Sequence, residues 1–230
     1  FAQLTQRDGS FLVARNGDSN FKWEDVRGKT IIGGRPGGVP QMTLEYVLKE
    51  HGIDPVKDVN LITNLQFTAT AGAFKSGTGD YVALFEPTAS ALEKESAGKI
   101  VASIGKDSGL IPYTTYFSTK SYIEKNPETI QKFTNAIYKG QLWIQNNKSE
   151  DIAKEIKSFF PDADDEVLIT VINRYKEIGA WNQTPIMTPE SLVLLQEVIK
   201  RAGQLDKVVE FDKIVDNRFA EEAVKKVKWQ

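Results

Sequence analysis

The run Gly33-Gly34-Arg35-Pro36-Gly37-Gly38-Val39-Pro40 is the segment of this 230-residue chain best suited to chemistry. Glycines let a backbone approach a ligand closely, and a helix that begins just after such a loop offers unpaired N–H groups to an anion. Met42, Leu44, Val47 and Leu48 carry helical spacing as far as Gly52, so the loop opens a helix. Gly37, Gly38, Val39 and Pro40 are therefore candidate ligand contacts. Arg35 could clamp a carboxylate, sulfonate or phosphate with two parallel bonds, and Gln41 adds an amide in the first helical turn. The loop also reads as a plain strand-to-helix turn, and Arg35 as a solvated surface charge. It matches neither GxGxxG nor GxxxxGK, which counts against nucleotide binding.

Further candidates fall at the ends of other apolar runs. Phe85-Glu86-Pro87 closes a strand and begins a helix, at the carboxyl edge where open α/β sheets place ligands. Glu86 is a candidate acceptor there, or an acid that only complements the helix dipole. Phe67 and Thr68 follow another strand at the same edge. With Phe85 and Tyr113 they offer an aromatic platform with polar tips for a flat ring; core packing is the competing reading. Gln6 completes the candidate ligand-binding set.

Hydrolytic and metal chemistry find little support. There is no cysteine, and the single histidine, His51, stands beside Gly52 at a helix end with no nucleophile elbow near it. Zinc would lack its preferred ligands. The acid pairs Asp164-Asp165 and Glu221-Glu222 adjoin helix ends and read as solvated faces. No catalytic residue, metal site or cofactor is expected.

The elements that must position these residues alternate. Strands are expected at Phe11–Arg15, Lys29–Gly33, Asn60–Leu65, Tyr81–Phe85 and Lys99–Ile104. A helical turn at Trp23–Val26, a helix running from the glycine loop to Gly52, and helices at Thr70–Lys75 and Thr88–Ser96 lie between them. That alternation predicts an α/β fold with a mostly parallel sheet. The turn Asn16-Gly17-Asp18 is a first hinge candidate, and the β-prone Pro112–Ser118 a second. Beyond it the chain is helix-rich: about Pro127–Asn146, Ser149–Phe159, Glu166–Ile178, Pro189–Ala202 and Phe219–Lys226. Basic and acidic residues number 29 and 31, a net charge of −2 that gives no broad field for nucleic acid or acidic membranes. Hydrophobic residues at 40% and charged ones at 26% suit a packed globular protein. No apolar run approaches the roughly 20 residues needed to cross a bilayer.

Three stretches, RGKTIIGGRPGGVPQMTLEYVLKEHGIDP, GTGDYVALFEPTASALEKE and PYTTYFSTKSYIEKNPETIQKFTNAIYKG, resemble the thiamine-precursor and alkanesulfonate-binding family of ABC transporter solute-binding proteins. The shared features are Gly28-Lys29 before the strand and glycine loop, the step from Gly77 to Asp80, and Asn126-Pro127-Glu128 opening the helix after the second hinge. The resemblance implies a two-lobed fold like the type II periplasmic binding proteins. Lobe 2 would span 21–109, and lobe 1 would take 1–20 plus 110–230, with an N-terminal part of lobe 1 missing.

It further implies a small-molecule ligand, a pyrimidine thiamine precursor or an organic sulfonate, delivered to an ABC permease. The location would be extracytoplasmic, with export by a signal not present in this chain. Membrane contact would come through the permease or an unseen lipid anchor. The competing classes are a pyrimidine-synthase-like enzyme of thiamine biosynthesis, whose family carries a cysteine-rich motif absent here, and a ligand sensor on the same fold.

Overall fold

Residues Ser10–Ala14 form a strand buried along its whole length. Phe11 and Val13 enter one hydrophobic core and Leu12 the opposite one, as the two-residue period of a strand requires. A computed structural model describes residues 1–17 and 20–229. Among them the strands are β1 (Ala2–Thr5), β2 (Ser10–Ala14), β3 (Thr30–Ile32), β4 (Asn60–Ile62), β5 (Tyr81–Phe85), β6 (Lys99–Ser103) and β7 (Thr114–Tyr116). The helices are α1 (Val39–Glu50), α2 (Thr70–Lys75), α3 (Thr88–Lys94), α4 (Ile104–Ser108), α5 (Lys120–Lys125), α6 (Pro127–Asn146), α7 (Ser149–Ile156), α8 (Asp165–Glu177), α9 (Pro189–Arg201), α10 (Phe211–Ile214) and α11 (Arg218–Lys226).

Five strands build the main sheet in the order β4-β3-β5-β2-β6. β3 runs parallel to β4 and β5, whereas β2 is antiparallel to both β5 and β6. The mostly parallel sheet expected from the alternation is therefore a mixed one. Hydrophobic periodicity carries no direction, and β2 enters the sheet from the edge at which β3, β4 and β5 end. One face is covered by Leu44, Val47 and Leu48 of α1 with Trp23, Val26 and Ile104. The other carries Phe74 of α2 and Ala89 and Leu92 of α3, and also Ile178 and Ala180, which follow α8.

The second unit centres on β1 paired antiparallel with β7. Gln141 of α6 donates to the Gln3 carbonyl at 2.9 Å and so fixes β1 on the helices. Ile152, Ala153, Leu168 and Ile172 join α7 to α8, and Tyr138, Ala223 and Val227 join α6 to α11 and the residue after it. Pro127 starts α6 and Pro189 starts α9, positions where a missing N–H costs nothing.

Two neighbouring segments connect the units. Ile111 N–H donates to the Gln6 carbonyl at 3.0 Å, and Tyr113 N–H to that of Thr5 at 3.2 Å. The chain thus leaves β1 through Gln6–Gly9, not at Asn16-Gly17-Asp18, because β2 is already inside the main sheet. Asp18 of that turn lies outside the described residues. The crossing at Gln6–Gly9 is tight: a Cβ at Gly105, in the first turn of α4, would collide with the Asp8 carbonyl oxygen. Gly140, exposed in the middle of α6, has open space where its Cβ would lie. Gly105→Ala should lower stability by about 1–3 kcal/mol, since two main chains would have to move apart. Gly140→Ala should raise it by about 0.5–1 kcal/mol, because glycine is a poor helix former. Urea unfolding followed by circular dichroism measures both.

Candidate functional site

The carboxyl ends of β3, β4 and β5 deliver the glycine loop, Phe67-Thr68 and Phe85-Glu86 to one edge of the sheet. Because β2 is antiparallel, with Ser10 opposite Phe85, the crossing Asp8-Gly9 arrives at this edge too. β6 ends there opposite Phe11, which brings in the start of α4. The edge is where the two units meet.

Gly38 caps α1 without any side-chain acceptor, which leaves N–H groups of the first turn for an outside partner. Gly37 holds a φ of +74°, a conformation that favours glycine. Val39 and Pro40 begin the helix and are half-buried. Arg35 is exposed, and its guanidinium has no hydrogen bond or ion pair among the described residues. Gln41 behaves differently from expectation: it is buried, accepts from Gly34 N–H at 2.9 Å and donates to Glu45 at 2.9 Å. Its amide holds the loop against α1, which makes it a brace for the candidate site.

The aromatic platform forms in part. Phe67 and Phe85 lie with ring centroids 5.9 Å apart, and Phe85 and Tyr113 at 6.3 Å. Phe67 is 65% exposed, which makes it the open face of the row. Thr68 beside it is exposed. Burial pushes the Tyr113 phenol up, so it remains a protonated donor. Gln6 is turned away from the edge: its amide donates to the Gly179 carbonyl at 3.0 Å and the Trp181 carbonyl at 3.4 Å.

Glu86 is also committed elsewhere. Its side chain is fully buried and pairs with Arg174 of α8 at 2.6 Å. Ser90 donates to it through both N–H and hydroxyl at 2.8 Å. Arg174 meanwhile reaches Ser90 Oγ at 2.6 Å and Glu93 at 2.9 Å. Glu86 is therefore a strut between β5–α3 and α8, where the sequence suggested a ligand acceptor. Next to it, the Tyr175 hydroxyl donates to the Gly9 carbonyl at 3.0 Å and accepts from Glu86 N–H at 3.3 Å.

Sequence reasoning missed Arg174, Tyr175 and Asp8. Arg174-Tyr175 sits in an ordinary amphipathic helix, with nothing local to mark it. Asp8-Gly9-Ser10 did carry a turn signature. Asp8 is completely buried, and Oδ1 accepts from Ser10 N–H at 2.7 Å and Ser10 Oγ at 2.5 Å. Its Oδ2 has no hydrogen-bond partner among the described residues. Burial pushes this carboxyl up to about 6, against the opposing pull of the Ser10 bonds and of the Thr43 hydroxyl.

The largest cavity described, about 830 Å³, lies away from this edge, among Lys139, Trp143, Lys226 and Trp229. It has no buried charge and no helix start aimed into it, so the sheet edge remains the candidate site. No group of three or more metal-ligating side chains occurs among the described residues. No helix among them is long and apolar enough to cross a membrane.

A family model described as the NMT1-like family matches residues 14–158. "Putative binding protein YtlA" of Bacillus subtilis (strain 168) is 48% identical over 221 residues, covering 96% of this chain and 66% of that protein. "Putative aliphatic sulfonates-binding protein" of the same organism is 26% identical over 171 residues, covering 73% and 48%. The chain thus spans about two thirds and about half of these relatives' lengths.

Among solved structures, the periplasmic nitrate-binding protein NrtA from Synechocystis PCC 6803 superposes with a TM-score of 0.70 at 16% identity, over 99% of this chain and 68% of that one. The periplasmic aliphatic sulphonate binding protein SsuA from Escherichia coli gives 0.68 at 17%, over 95% and 75%. The desulfurization enzyme DszB gives 0.59 at 12%, over 98% and 78%. The fold is thus the mixed α/β fold of periplasmic binding proteins, as the sequence suggested.

Breaking the Glu86 strut has a definite cost. Arg174→Ala should lower stability by about 3 kcal/mol, since it leaves a buried carboxylate short of its cation. Adding Glu86→Gln should recover part of that loss, and a double-mutant cycle of thermal unfolding measures the coupling.

Proposed function

The chain belongs to the NMT1-like family, and from that premise we propose that it is the extracytoplasmic solute-binding component of an ABC-type uptake system. It holds a small organic molecule between two lobes and passes it to a permease. One lobe is the five-stranded sheet with its helices, from Ser10 to Ser108, and the other is built from β1 and the chain from β7 onward. The protein meets the membrane through the permease or through a lipid anchor.

The observation that carries this reading is the uncapped start of α1 with an unengaged Arg35, on the same sheet edge as the row Phe67, Phe85 and Tyr113. A helix N-terminus and a guanidinium suit an anionic group, and the row of rings suits a flat or apolar body. Within this reading an organic sulfonate satisfies the first pair and a pyrimidine thiamine precursor the second. Relatives named as a sulfonate-binding and a binding protein support the class.

The likeness to a desulfurization enzyme supports a second reading, catalysis on the same fold. Conversion of a bound organic sulfinate or pyrimidine, followed by mass spectrometry, separates the two: turnover favours the enzyme, and quantitative recovery the binder.

A thermal-shift screen of the full-length protein against alkanesulfonates, aminopyrimidines and nitrate tests the ligand class. A true ligand at one hundred times its Kd adds about 2.7 kcal/mol of stability, a rise of roughly 5–10 °C for a protein of this size. Arg35→Ala should abolish the shift produced by an anion while leaving the unliganded melting temperature unchanged. A screen in which no compound moves the melting temperature rejects the ligand class.

A further inference from the structure

The second unit carries a cavity for which the ligand edge gives no account. It holds about 830 Å³ between α6 and the chain that follows α11, inside the range of roughly 300–1,000 Å³ found for small-molecule sites. Leu142 and Trp143 of α6, with Val227 and Trp229 beyond α11, give it an apolar lining. Trp229 is 46% exposed, a large ring left in contact with water.

Charge around this cavity has one sign. Lys139, Lys226 and Lys228 line it and are exposed, and no acidic residue lines it among the described residues. Lys226 is held by Glu222 at 2.6 Å, one turn back on α11. Lys139 and Lys228 have no ion pair or hydrogen bond among the described residues. Two free ammonium groups beside a pair of indole rings suit an anion carried on a flat apolar body, since the rings take the body and the lysines the charge.

Gly140 points the same way on independent grounds. It sits inside the 20-residue α6, where glycine costs about 0.5–1 kcal/mol relative to alanine. Its backbone is helical and lacks the positive φ that would call for glycine. Nothing lies within 4 Å of where its Cβ would be, so no neighbouring chain needs the room. Gly140 does line the cavity, and a long side chain there would occupy that space. The glycine weakens the helix and keeps the cavity open.

We propose that this cavity is a second binding site, for a small aromatic molecule carrying one anionic group, a carboxylate or a sulfonate. Trp143 and Trp229 hold the ring system, Lys139 and Lys228 neutralise the anion, and Gly140 leaves room for the ligand against α6. The site is separate from the α1 edge: none of its lining residues belongs to the glycine loop or to the row Phe67, Phe85 and Tyr113.

Titration calorimetry of the full-length protein with anilinonaphthalene sulfonate, an aromatic anion, tests the site. Wild type should bind the dye saturably, and more weakly as salt is added, because the exposed lysines are screened. Gly140→Leu fills the cavity with a good helix former, so it should melt no lower than wild type and yet bind the dye about tenfold more weakly or worse. Lys139→Glu combined with Lys228→Glu should also cost about tenfold, while leaving the affinity for uncharged phenylnaphthylamine unchanged. Arg35→Ala, at the α1 edge, should leave this binding as it is in wild type. The absence of saturable binding overturns the proposal, including the case in which another part of the full-length chain fills the cavity. Dye binding that is unaltered in Gly140→Leu, or that disappears in Arg35→Ala, overturns it too. If the leucine variant does not fold, unaltered dye affinity in the double lysine variant has the same force.

Discussion

One strand sets the geometry of everything at the ligand edge: β2 enters the main sheet antiparallel, between β5 and β6. Fully buried, it makes hydrogen bonds to both neighbours and feeds both cores, so its position cannot shift without loss of the sheet. Its direction puts the Asp8-Gly9 crossing at the carboxyl ends of the parallel strands. The close approach of α4 at Gly105 follows from this, as do the buried Asp8 and the contact of Tyr175 with Gly9. Had β2 run parallel, the crossing would have come in at the opposite edge, away from the glycine loop.

The two units are held together unequally on their two sides. On one side Arg174 grips Glu86, Ser90 and Glu93 in a largely dry cluster, and loss of one partner there would leave a buried charge. The neighbouring pairs of Lys94 with Asp164 and Glu166 are exposed and contribute little beside it. On the other side α9 packs on α1 through Met42, Tyr46 and Val198, with Leu194 and Ile199 at the margin. Arg201 pairs with Glu50 at the far end of that seam. α1 therefore carries the ligand loop at its start and an apolar contact with the other unit along its length, so loop position and lobe position are mechanically linked.

Much of the local structure was legible because it follows from short-range rules. The glycine loop, α1, β5, and the proline-initiated α6 and α9 appear close to where spacing and capping placed them. Candidate residues fared according to what surrounds them. Gly37, Gly38 and Arg35 are defined by their own backbone or by exposure, and they stand at the edge as read. Gln41, Glu86 and Gln6 are polar residues whose partners come from Gly34, Arg174 and Gly179, and a sequence does not show which partner a side chain will meet first. The small helices α4, α5 and α10 were not foreseen, being too short to show a period.

The sequence by itself determined that the chain is a packed α/β protein, that a glycine loop opens a helix, and that aromatic and polar residues end several strands. These are statements about periodicity, glycine stereochemistry and charge count, all local or additive. Only the tertiary structure decided the direction of β2, the place of the first crossing at Gln6–Gly9, and the division of polar residues between ligand edge and internal strut. Each of those depends on which distant group a residue meets when the sheet closes. Asp8 has the same neighbours in sequence whether or not it is buried; closure of the crossing against α4 is what took that carboxylate out of solvent.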